Sequence, residues 1–235
     1  MSHVRTTGFV LLAVVSVGLL GVANANPKLP MPLLPEPPAG YLLVDEEMWS
    51  ELMDEAGRHL DRARDSFLQG HTRMAATELR KAAIMMRIDA AHGEDAVDRQ
   101  MIKSAGEIEH IVSGLRNGQS TDTIEDIDAV SSRAFAVLAR HEQAKAAMAW
   151  SQHHSHRSGR YLLAAADNLE RSAARARIEL STSTRQAIRN ARNLSGRLVE
   201  GTGFAIEELG KGIDVLGHQI EKLEQSILHP HSQRP

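Results

Sequence analysis

No proline occurs between positions 39 and 229, and that single absence constrains the fold more than any other feature of the chain. Six of the eight prolines fall between Pro27 and Pro38, and the other two are Pro230 and Pro235. Sandwiches and barrels need turn breakers every ten residues or so, and Val, Ile, Thr and aromatic clusters between them. Here the Pro-free stretch is rich in Ala, Glu, Arg and Leu, and aromatics are only 3% of the chain. The expected fold is therefore all-α: an antiparallel bundle of about six helices with an aliphatic, small-residue core and long coiled-coil-like C-terminal helices.

The first 25 residues read as a secretory signal. His3 and Arg5 form a weakly basic start, Phe9 to Val22 is apolar, and Ala23-Asn24-Ala25 offers a cleavage site before Asn26. The apolar run is shorter than the ~20 residues that span a bilayer, and no later segment is more apolar. Export, to a periplasm or the exterior after cleavage after Ala25, is the expectation, with no transmembrane span afterwards. Cysteine is absent, so such an exported fold uses no disulfides. Residues 26–40 form a proline-rich linker, extended at about 3 Å per residue. Helices 41–157 make a bundle, 158–228 hold the long helices, and 229–235 form a tail.

Helix signals follow in order. Asp45 is a candidate N-cap, with Trp49, Leu52, Ala56, Leu60, Ala63 and Phe67 on one face and Gly70 as the stop. A second helix from near Thr72 carries Ala75, Leu79, Ala82 and Met86 to a stop at His92-Gly93; a third carries Met101, Ala105, Ile108, Val112 and Leu115 to Asn117-Gly118. Asp122 and Glu125 suggest a capping box for the fourth. Its heptad stripe runs Ile127, Ala134, His141 and Met148, with Val130, Val137 and Ala144, to an end near Ser155. Leu162, Ala166, Leu169, Ala173, Ala176 and Leu180 predict a fifth helix from Ser158 to Leu198, about 60 Å long, with the polar run Ser181 to Thr184 as a hinge or a break.

The last helix has the cleanest pattern. Ile206, Ile213, Ile220 and Ile227 take every a position, and Leu209, Leu216 and Leu223 every d. Gly210, Gly212 and Gly217 flank that seam and suit close helix approach. The seam either folds back on the preceding helix or joins two chains. In the hairpin, Arg185, Arg192 and Arg197 would face Glu221, Asp214 and Glu207.

Loss of Arg5 leaves a mature net charge of −4, which does not suggest nucleic acid as a partner. The expected partner is a second copy or another exported helical protein. Seven arginines between Arg171 and Arg197 offer a contact for an anionic surface. Nucleophile elbows, phosphate loops and HExxH motifs are missing, so a non-enzymatic structural, adaptor or binding module is expected.

Twelve histidines supply the distinctive chemistry. If the fourth helix continues to Ser155, His153 and His156 share a face, and with His154 they could hold a divalent transition ion, Cu²⁺, Zn²⁺ or Ni²⁺. Transition-metal binding through these residues is the alternative function. His141, on the core stripe, is the candidate for ligating a non-covalent haem or for fixing helix register. Glu107-x-x-His110 has di-iron spacing, but Ile108 and Val112 claim the inward face. Asp89-x-x-His92 repeats that spacing at a helix end.

Overall fold

A computed structural model describes residues 54–91, 95–117, 123–200 and 206–228. Among them lie seven helices and no strand: α1 (Glu55–Leu68), α2 (Thr72–Ala90), α3 (Ala96–Asn117), α4 (Ile124–Ser151), α5 (Ser155–Ala176), α6 (Thr182–Val199) and α7 (Ile206–Leu228). All belong to one compact unit spanning 44–235. The expected signal segment, linker and tail with His229 and His231, together with Asp45, Trp49, Leu52, His92 and Asp122, lie outside the described residues.

The stops are built by backbone hydrogen bonds that close the last turn. At the end of α1, Gly70 N–H donates to Phe67 O and His71 N–H to Ser66 O, with Gly70 at φ +78°. This left-handed residue is where glycine costs least. The same pair of bonds ends α5 around Arg177, which takes φ +56° without being glycine. The helix expected to run from Ser158 to Leu198 is thus two helices. Ser181 then starts α6 by accepting from Thr184 N–H at 3.1 Å. The break falls at Arg177–Ser181, just ahead of the polar run, whose Thr182–Thr184 form the first turn of α6, and it gives one more helix than expected. The capping box of α4 is also one residue later than Asp122–Glu125. Thr123 and Asp126 exchange side-chain and backbone bonds there.

Two aliphatic clusters make the core. The first packs Leu60, Leu79, Met86, Met101, Ile108, Ile127 and Phe135 from α1–α4. The second packs Leu162, Leu169, Leu194, Leu209, Leu216 and Ile220 from α4–α7. Both use α4, the first up to Leu138 and the second from Ala139. As the central helix, α4 is buried around most of its circumference, which its Ala and Ser content permits. Ser132 and Ser172 donate their hydroxyls to each other's carbonyls at 3.0 and 2.9 Å, drawing α4 and α5 together. The boundary expected between 157 and 158 therefore falls within a closely packed hairpin. Met148, expected in the stripe, is 62% exposed. A straight helix drifts about 20° per heptad, and three heptads carry Met148 about 60° from Ile127.

On α7 the seam turns inward within the chain. Leu209, Ile213, Leu216, Ile220 and Leu223 are buried and Ile227 partly so; Ile206 opens the helix. Gly212 lets α6 approach, since Leu194 Cδ1 occupies the place of a Cβ. Gly159 likewise admits Leu198, whose Cβ lies 2.8 Å from where its own Cβ would be. By contrast, the Gly210 side of the seam is open. Thr184 donates to Gln219 Oε1 at 2.8 Å, which sets the α6–α7 register. The arginines choose other partners than expected: Arg185 pairs with Glu179, Arg192 with Asp167 and Glu170, and Arg197 with Glu208.

Candidate functional site

Where the two clusters meet, α4 carries His141, Glu142 and Lys145. The N-terminal end of α3 faces this stretch of α4. Asp95 accepts from the backbone N–H groups of Val97 and Asp98 at 2.7 and 2.9 Å, capping α3. These bonds hold the Asp95 carboxyl below its usual range. Asp98, one turn in, is buried, and its Oδ1 lies 3.6 Å from His141 Nδ1, just beyond a hydrogen bond. From the last turn of α2 comes Asp89, 3.8 Å from Lys145 Nζ. The same ammonium lies 3.5 Å from Glu142 Oε1 and 5.4 Å from the centre of the Tyr161 ring on α5.

Burial shifts ionisation here. His141 is 7% exposed and Glu142 4%. Burial, reinforced by the Lys145 charge, pulls the His141 imidazole down to about 4. Burial likewise pushes the Glu142 carboxyl up to about 7, against the opposing pull of Lys145 and with the help of Asp89. For Lys145, burial works against the charge, but Glu142 and Asp89 outweigh it and hold the ammonium above its ordinary range. Near neutral pH the imidazole is therefore uncharged, the lysine charged, and Glu142 close to half-protonated. Two polar atoms here are buried without a hydrogen-bond partner: His141 Nε2 and Glu142 Oε2.

A second set of charges continues along α5. Arg171 reaches Asp54 at 2.5 Å and Asp61 at 3.5 Å, and Arg175 reaches Asp61 at 2.5 Å. Burial raises the Asp54 carboxyl, with Arg171 opposing it. With Arg177 bound to Glu125, six of the seven arginines between 171 and 197 meet a carboxylate of this chain. A row of uncompensated positive charge for an anionic surface is not what the structure presents.

The helix-end histidines stand apart from this site. Helix α4 ends at Ser151, before His153 and His154, and so His153 and His156 do not share a helical face. His153 takes φ +62° as the left-handed residue after α4, where its N–H donates to Trp150 O and the His154 N–H to Ala149 O. His154 and His156 begin α5, and all three are exposed. His110 is exposed as expected, and Glu107 pairs with Arg133.

Among the described residues, one group of three His, Asp or Glu side chains brings ligand atoms within 4.8 Å of one another: Asp89, His141 and Glu142. His141 is legible from its place on the core stripe, whereas Glu142 and Lys145 are not. A stripe argument assigns one buried face to a helix, and Glu142, next to the stripe, belongs on the polar side. Only the central position of α4 buries it. Its signal, legible in retrospect, is a His-Glu pair followed by Lys145 in an otherwise Ala-rich segment.

No protein-family model matches the sequence, and neither a curated protein nor a solved structure matches it. The fold defines the class: an all-α helical bundle. In the described residues no helix is long and apolar enough to cross a membrane.

Proposed function

We propose that this chain is an exported, non-enzymatic helical module that works as a structural or adaptor element and assembles with copies of itself. The observation that supports this reading is where the side chains are spent. Charged groups latch helix to helix, as in Arg64–Asp128, Arg171–Asp54 and Arg140–Glu224, while apolar side chains remain on the outside of α2. Met74, Ile84 and Ile88 are 45–56% exposed, and at 100° per residue they fall with Thr77 and Lys81 in one 80° sector. A broad groove of about 740 Å³ between the start of α6 and the end of α7 is lined by serines, Thr184, two glutamines, aliphatic side chains and the charged Glu179 and Lys222, and holds none of the α4 cluster. It suits contact better than chemistry.

Light scattering on the secreted chain, together with its intact mass and visible spectrum, tests the reading. We expect a mass beginning at Asn26, a colourless protein, and a homo-oligomer that Ile84→Glu with Ile88→Glu weakens at unchanged helix content. A monomer at every concentration overturns self-assembly. A stoichiometric chromophore overturns the structural role.

A further inference from the structure

We propose that Asp89, His141 and Glu142 form a binding site for one divalent transition ion of the Zn²⁺ type, at the junction of α2, α3 and α4. One imidazole and two carboxylates are a donor set for such an ion, with water completing the shell. The three ligand atoms lie within 4.8 Å of one another. Donors on tetrahedral zinc stand about 3.4 Å apart, so closing the site takes about an ångström of side-chain movement.

The second observation is independent of that proximity. Glu142 Oε2 and His141 Nε2 are both buried and unpartnered. Buried polar atoms in folded proteins are nearly always satisfied, because each orphan carries a desolvation penalty. A single cation ligated by both atoms would satisfy both. Asp98 adds a third argument. Its Oδ1 stands 3.6 Å from His141 Nδ1, on the ring edge away from the orphaned nitrogen. Drawn in slightly, it accepts a hydrogen bond from Nδ1–H, fixes the tautomer and leaves Nε2 as the electron-pair donor to the metal, the arrangement metal-bound histidines commonly use.

Lys145 explains how the metal-free protein tolerates two carboxylates here. Its ammonium, 3.5 Å from Glu142 and 3.8 Å from Asp89, is the resident cation. Its side chain is one-quarter exposed, and its flexible stem can carry the charge outward to solvent. Ion and ammonium compete for the same two carboxylates. Lysine in, or metal in, describes the two states of the site, and the metal state ties the end of α2 to the middle of α4.

Co²⁺ titration of the chelator-stripped chain tests this, followed by visible d–d absorption and by competition with Zn²⁺. The background is the His153→Gln, His154→Gln, His156→Gln chain, which removes the exposed cluster. We expect one equivalent of Co²⁺ with an absorption band that Zn²⁺ abolishes. Glu142→Gln and His141→Gln should each weaken binding by tenfold or more. Lys145→Gln should tighten it by about tenfold or more, since a positive charge some 4 Å from the ligands is removed. A misfolded variant cannot mimic that gain. Binding unchanged by Glu142→Gln and His141→Gln, weaker binding in Lys145→Gln, or no Co²⁺ band would each overturn the site.

Discussion

The two halves of the core solve the same packing problem with different materials. Around α7 the second cluster is nearly all Leu, Ile and Ala on a regular repeat, edged by bonds such as Thr184 with Gln219 and Arg140 with Glu224. Around α1–α3 the first cluster uses Met86, Met101 and Phe135 to fill less regular space. Charged side chains border it: Arg64 with Asp128, His59 with Glu78, and Arg171 with Asp54. The knobs of a regular seam constrain register by themselves, and the Thr184–Gln219 and Arg140–Glu224 bonds reinforce it. Less regular aliphatic and Met packing tolerates sliding, and directional bonds to charged groups remove that freedom. Helix α4 serves both clusters, and the unsatisfied chemistry gathers where they change over, at His141 and Glu142.

If α4 makes the two clusters one cooperative unit, damage to either should lower a single transition. Leu216→Asp buries a carboxylate without a partner in the second cluster, and Leu79→Asp does so in the first. Each should cost about 4 kcal/mol or more. Chemical unfolding followed by circular dichroism should show one shifted transition for each variant. Two separated transitions, with the undamaged cluster melting where the parent does, would show that α4 does not couple them.

The changeover site makes a smaller, pH-dependent contribution, read with chelator present. The Glu142 pKa is raised to about 7, so its stabilisation is full below the unfolded value near 4.5 and fades as pH rises through 7. The His141 pKa is lowered to about 4, so its stabilisation is full above the unfolded value near 6.5 and fades as pH falls towards 4. Between about 4.5 and 6.5 the two slopes oppose, and the parent stability should be nearly level from this pair. His141→Gln should uncover a decline with rising pH, and Glu142→Gln a rise, each of up to about 1.4 kcal/mol per unit. Denaturant midpoints at pH 5, 6 and 7 would check this. Parallel profiles for parent and both variants would mean that neither group is as dry as its burial implies.

Smallest are the caps. Thr123→Ala removes the box that starts α4, and Ser181→Ala the cap that starts α6; each should cost about 1 kcal/mol. Hydrogen exchange distinguishes their reach. Thr123→Ala should lower protection in both clusters, whereas Ser181→Ala should loosen α6 and α7 alone. Equal spread from both would make the second cluster as central as α4.

The sequence by itself determined the helical class and most helix positions. An absence of breakers and a repeat every three or four residues are local properties, legible along one strand of text. Gly70 and the α7 seam belong to that kind of information, and so do the core positions of α3. What the tertiary structure alone decided has a common cause. How much of a helix's circumference is buried depends on how many neighbours surround it, and that number is not written within the helix. Surrounded on most sides, α4 buries Glu142 beside His141 and brings Asp89 from α2 to meet them. Arg177 was equally illegible as a helix stop, because a left-handed non-glycine residue is tolerated only where the hydrogen bonds and packing around it outweigh its strain.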